Sequence, residues 1–120
     1  MPRDVDQPRG GPHDREVEAA YFTLLRAREE LDGLRRYDDY LRDERGRLRR
    51  AMSEGDALAD RVDPRYRRVL AHTDKPLADA IRTRLAVIED ELARLPDRLV
   101  AAEEFVEECE REHAELKRSA

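Results

Sequence analysis

Apolar residues recur along this chain in steps of three and four. From Val17 a stripe runs through Ala20, Leu24, Ala27, Leu31, Leu34, Tyr37, Leu41, Leu48 and Met52, the spacing that aligns side chains on one face of an α-helix. A second stripe, Ala78, Ile81, Leu85, Ile88, Leu92, Leu95, Leu99, Ala102, Val106, Cys109, His113 and Leu116, alternates the two steps without a slip. A repeat sustained over that distance predicts a coiled-coil helix. Two stripes of near-equal length, joined by a compact connector, predict an all-α fold: an antiparallel coiled-coil hairpin with a short helical connector.

Turn and cap residues set the expected boundaries. Residues 1–13 are rich in Pro and Gly and hold one apolar branched side chain, Val5, too little burial to offset the entropy of ordering, so they are expected to form a mobile tail. Asp14 offers an N-cap oxygen, with Glu16 and Glu18 placing negative charge in the first turn. A helix is predicted over 14–54, stopping at Gly55, because glycine accepts the left-handed conformation that closes a helix. The connector, 56–75, contains its own short helix, with Asp63-Pro64 as cap and first turn. Thr73 or Asp74 then caps a helix over 76–118, with Pro76 in its first turn.

Two features weaken this pattern. Between Leu41 and Leu48 the stripe lands on Glu44 or Arg45, and Gly33 and Gly46 lie nearby, each glycine costing about 1 kcal/mol relative to Ala in a helix interior. The middle of the first helix is therefore expected to be its weakest part. Pro96 interrupts the second helix but leaves the phase unchanged, which predicts a bend and not a break. Apolar residues also lie beside the seams, at Tyr21, Phe22 and Leu25 and at Val87, Val100 and Phe105. A two-helix hairpin buries only part of so wide a stripe, so pairing of two copies into a four-helix bundle is expected.

Composition narrows the class further. The chain has 120 residues, 44% charged and 5% aromatic, with no Trp. That suits a narrow seam of aliphatic side chains and excludes the thick core of a sandwich or a doubly wound sheet. One cysteine, Cys109, allows no intramolecular disulfide. No apolar run approaches the roughly 18 residues of a membrane span, and Met1–Pro12 has no apolar leader core, so a cytoplasmic protein that avoids membranes is expected. Arginines gather at Arg42, Arg45, Arg47, Arg49 and Arg50 and at Arg61, Arg65, Arg67 and Arg68, but acidic residues interleave with them and the net charge is -5. Direct nucleic-acid binding is not expected. Matching charges on a protein partner suit the pattern better.

Candidate chemistry is sparse. Cys109 and His113 share a helix face, as half of a metal site would, but both occupy seam positions where they pack as core. Glu110 and His113 form a Glu-x-x-His spacing that resembles the half-motif of ferritin-like di-iron bundles, which implies a metal oxidase completed by dimerisation; a solvated acidic face generates the same spacing. Residues Glu29-Glu30-Leu31-Asp32, then Ser53-Glu54-Gly55-Asp56, with Arg84 to Leu92 returning, look similar to the hairpin of Gre-type transcript-cleavage factors. The resemblance implies that Asp56, Asp60 and Asp63 act as tip carboxylates inside an RNA polymerase channel, although the connector is longer and the β domain of that family has no counterpart. Glu29, Gly33, Arg36, Tyr40 and Glu44 fall at the spacing of the Glu/Ser/Arg/Gln/Asp motif of cyclic-di-GMP-binding anti-sigma factors, matching in type at Glu29 and Arg36. That resemblance implies a regulator of the transcription machinery sensing an anionic small ligand, with Arg35, Arg36 and Arg42 as its binding residues.

No Gly-rich phosphate loop, Cys-x-x-Cys pair or Ser/His/Asp grouping is present in the sequence, and His13, His72 and His113 are scattered, so no enzyme and no cofactor is expected. The expectation that follows is a non-catalytic coiled-coil module for protein–protein interaction. It self-associates and serves as a regulatory or adaptor protein, with the transcription regulator and the metal oxidase as alternatives.

Overall fold

A computed structural model describes residues 11–119 of the protein. Two helices make it up: α1, Pro12–Arg61, and α2, Pro64–Arg118. No strand occurs among the described residues. The helices divide into two compact units, one built from 11–35 with 97–119, the other from Arg36–Pro96. The all-α hairpin follows from the pairing within each unit. In the first, Tyr21 meets His113 and Arg35 meets Glu103; in the second, Tyr37 meets Glu91 and Glu44 meets Arg84. In both, the partner number falls as the α1 number rises, so the helices run antiparallel.

The buried positions are the stripes. In the first unit Leu24, Ala27, Leu31, Val106 and Cys109 form one buried cluster, with Leu99 and Ala102 packed against it. In the second, Leu41, Ile88, Leu92 and Leu95 are buried. Each buried Leu or Ile contributes about 1.5–3 kcal/mol of transfer free energy, which makes these few layers the main favourable term of each unit.

The helix ends differ from the sequence expectation, each for a local reason. α1 begins at Pro12, where Arg15 N–H donates to the Gly11 carbonyl at 3.0 Å; Gly11 caps the helix, Pro12 takes the first-turn site, and Asp14 lies inside. Most of the expected tail, residues 1–10, lies outside the described residues. At the other end α1 does not stop at Gly55 but continues to Arg61. No glycine among the described residues has positive φ: glycine permits the left-handed stop without enforcing it. The connector is two residues, Val62 and Asp63, and the expected short helix at Pro64 is the start of α2 itself. Asp63 caps it, accepting the Arg65 backbone N–H at 3.0 Å. Thr73, expected as a cap, donates its hydroxyl back to the Val69 carbonyl at 3.0 Å. That bond occupies the side chain inside a continuing helix, and Pro76 is consequently an interior residue. α2 also runs through Pro96 without interruption.

Candidate functional site

Along both flanks of the seam, cross-helix polar pairs follow heptad logic. Counting Leu31, Arg45, Leu85 and Leu99 as first heptad positions, Arg35 reaches Glu103 at 3.7 Å and Arg49 reaches Glu89 at 2.8 Å; all four residues are at the fifth position. The opposite flank, at the seventh position, holds Glu44 with Arg84 and Tyr37 with Glu91. Like positions face each other, as two antiparallel helices that share one seam require.

These pairs fill the layer that lacks an apolar residue. The Arg84 guanidinium donates to both Glu44 oxygens, at 2.9 and 3.0 Å, while Arg45 and Arg49 share Glu89. The Arg84 hydrogen bonds, supported by one from Tyr40, hold the Glu44 carboxyl at about 2, down from 4.5, and the Arg84 guanidinium is raised in turn.

The candidate anion-binding arginines are largely engaged. Arg35 contacts Asp32 and Glu103, and Arg42 donates to Asp38 at 3.0 Å; Arg36 is exposed. Arg35 belongs to the first unit and the other two to the second. Among the candidate tip carboxylates, Asp63 receives the Arg65 backbone N–H and guanidinium, and the Arg65 side chain followed by its backbone N–H holds Asp63 below its usual range. Asp56 and Asp60 face a groove on the α1 side. His113 lies against Tyr21 with ring centroids 5.5 Å apart, while Glu110 is exposed. Among the described residues no three His, Cys, Asp or Glu side chains come together to hold a metal ion, and no helix is long and apolar enough to cross a membrane.

What the structure adds is apolar surface. Tyr21, Phe22, Val100 and Phe105 in the first unit and Tyr40, Leu58, Tyr66, Val69, Leu77 and Val87 in the second are exposed. Five of these, Tyr21, Phe22, Val87, Val100 and Phe105, were readable as apolar positions beside the seam. Near the α1–α2 junction, Tyr66 and Val69 share one side of the short connector helix that the sequence predicts, whereas Leu58 and Leu77 belong to no predicted stripe. There, in the second unit, a groove of about 640 Å³ opens between the last turns of α1 and the first turns of α2. Its lining includes Met52, Gly55 and Ala59 from α1 and Leu70, Ala78 and Ile81 from α2. Compared with protein families, characterised proteins and solved structures, the chain matches none.

Proposed function

We propose that the chain is a non-catalytic, self-associating coiled-coil module that works in the cytoplasm as a regulatory or adaptor protein, binding protein partners through its helix faces. The observation that carries this reading is the exposed apolar surface: the seam buries one side of each helix, yet aromatic and branched residues such as Phe22, Phe105, Leu58 and Leu77 remain in solvent. Large apolar side chains left exposed beside the seam in each unit suit a surface that associates with another protein. The sequence supplies no nucleophile–base grouping for a catalytic reading to use, and the polar pairs of the hairpin have a structural task in aligning the two helices.

Sedimentation velocity over a wide concentration range tests the reading. It is expected to show a species heavier than the 14.0 kDa chain, with circular dichroism reporting high helix content. A helical protein that stays at the mass of one chain up to millimolar concentration contradicts self-association.

A further inference from the structure

Near the α1–α2 junction the seam continues in phase but is too small to close. The heptad positions that follow Met52 on α1 are Gly55 and Ala59; those that precede Ile81 on α2 are Ala78, Asp74 and Ala71. A Cβ added at Gly55 would meet nothing within 4 Å, although Gly55 occupies a seam position. No residue between Leu41 and Ile88 reaches full burial. The result is the groove of about 640 Å³, a volume within the range of sites that take an apolar guest. Leu58 and Leu77 border it and protrude, 57% and 64% exposed.

We infer that the occupant of this groove is the same region of a second copy of the chain, docked about a two-fold axis so that Leu58 and Leu77 of each copy enter the groove of the other. The inference rests on the self-association proposed above and names the face that carries it. A two-fold contact demands a patch complementary to itself, and this one is. It combines a recess left by the small residues Gly55, Ala59 and Ala78 with protruding leucines that can fill one. Its lining holds three carboxylates, Asp56, Asp60 and Asp74, and three cations, Arg67, Lys75 and Arg82, so each copy presents both signs. Lys75 and Arg82 share the single carboxylate of Asp79, which leaves positive charge to meet a second copy's aspartates.

Net charge points to the same face. The second unit carries 13 acidic and 14 basic side chains, close to neutral, and a copy approaching it meets little repulsion. The described residues of the first unit carry 14 acidic against 8 basic. Pairing that surface with itself would bring two strongly acidic faces together, an unfavourable juxtaposition. The apolar side chains of the first unit, Tyr21, Phe22 and Phe105, therefore suit a basic partner better than another copy.

The test is sedimentation equilibrium on the full chain and three sets of variants, with helicity checked by circular dichroism. Leu58→Glu combined with Leu77→Glu is expected to weaken dimerisation by at least about 30-fold, the scale of losing a hot-spot side chain. Ala59→Leu combined with Ala78→Leu fills the groove from within, and is expected to raise the unfolding temperature while abolishing the dimer; this outcome stays readable if the glutamate variant unfolds. Phe22→Glu and Phe105→Glu are expected to leave dimerisation unchanged. A chain that dimerises through Phe22 or Phe105 and ignores both groove variants overturns the assignment of the face but leaves self-association standing. A wild-type chain that is monomeric at all concentrations overturns both, and binding of 1-anilinonaphthalene-8-sulfonate to such a monomer, lost on filling the groove, assigns the groove to a different apolar guest.

Discussion

The Glu44 carboxylate accepts two hydrogen bonds from the Arg84 guanidinium, one to each oxygen, at 2.9 and 3.0 Å. This pair spans the helices at the height where the apolar stripe of α1 is interrupted. Its fork geometry fixes both the distance between the backbones and their register, which a lysine at position 84 could not do. A polar layer of this kind aligns the helices at a place where aliphatic side chains would allow a slip.

Because Glu44 is held at about 2 in the folded chain and lies near 4.5 otherwise, its contribution to stability is fully present above pH 4.5 and disappears as the pH falls through about 2. Urea unfolding followed by circular dichroism is expected to show Glu44→Gln less stable than wild type at neutral pH. The difference closes on acidification. A gap that stays constant from pH 7 to pH 2 contradicts the assigned role.

Leu41, Ile88 and Leu95, at 1%, 0% and 0% exposure, are the fully buried side chains of the second unit. Truncating any one to Ala is expected to cost about 2–5 kcal/mol, the range for emptying a core position. Leu58→Ala, at an exposed position, should change the stability of the monomer by less than about 0.5 kcal/mol. Denaturant midpoints measured at a concentration below that of association separate the two classes.

Three helix-breaking residues are open to improvement. A Cβ at Gly46 would lie 3.5 Å from the Arg50 Nη1 atom, an ordinary contact, and one at Gly55 meets nothing. Gly46→Ala and Gly55→Ala are each expected to stabilise the chain by up to about 1 kcal/mol. Pro76→Ala, within α2, restores a backbone donor and is expected to add up to about 3 kcal/mol. Thermal unfolding checks all three, and a lower melting temperature for any of them contradicts the local geometry described for it.

Cys109 is 4% exposed within the cluster of Leu24, Ala27, Leu31 and Val106. Burial, reinforced by the charges of Glu108 and Glu112, pushes its thiol above the usual range. Reaction with 5,5′-dithiobis(2-nitrobenzoate) at pH 8 is therefore expected to be far slower in the native protein than in urea, since the thiolate is the nucleophile. Equal rates would place the thiol in solvent.

Much of this fold was legible as periodicity. All the buried residues, Leu24, Ala27, Leu31, Leu41, Ile88, Leu92, Leu95, Val106 and Cys109, are stripe positions, because a three-four repeat leaves a helix only one side to bury; Leu34, Tyr37, Leu99 and Ala102 of the same stripes are half-buried. Ends were harder to read. Gly55 and Thr73 have residue types suited to stops and caps, but each has an interior use: Gly55 with ordinary helical φ, Thr73 with its hydroxyl on Val69. The polar layer at Glu44 and Arg45 read as a flaw because its partners, Arg84 and Glu89, lie about 40 residues away in sequence. The groove was hidden for a related reason: it arises from side chains too small to mark an apolar stripe. Asp56 and Asp60, which the resemblance to transcript-cleavage factors implies as tip carboxylates, belong to that groove's lining.

The two-residue junction at Val62 and Asp63 carries a consequence for how quickly the chain acquires its structure. Helices joined so tightly could zip from the turn outward, closing small loops first. Here the turns next to the junction offer the least apolar contact, while the buried cluster of the first unit joins Leu24 to Cys109, far apart in sequence. The search for the native state must therefore close long loops before contact rewards it, so folding is expected to be slow for an all-helical chain of this size.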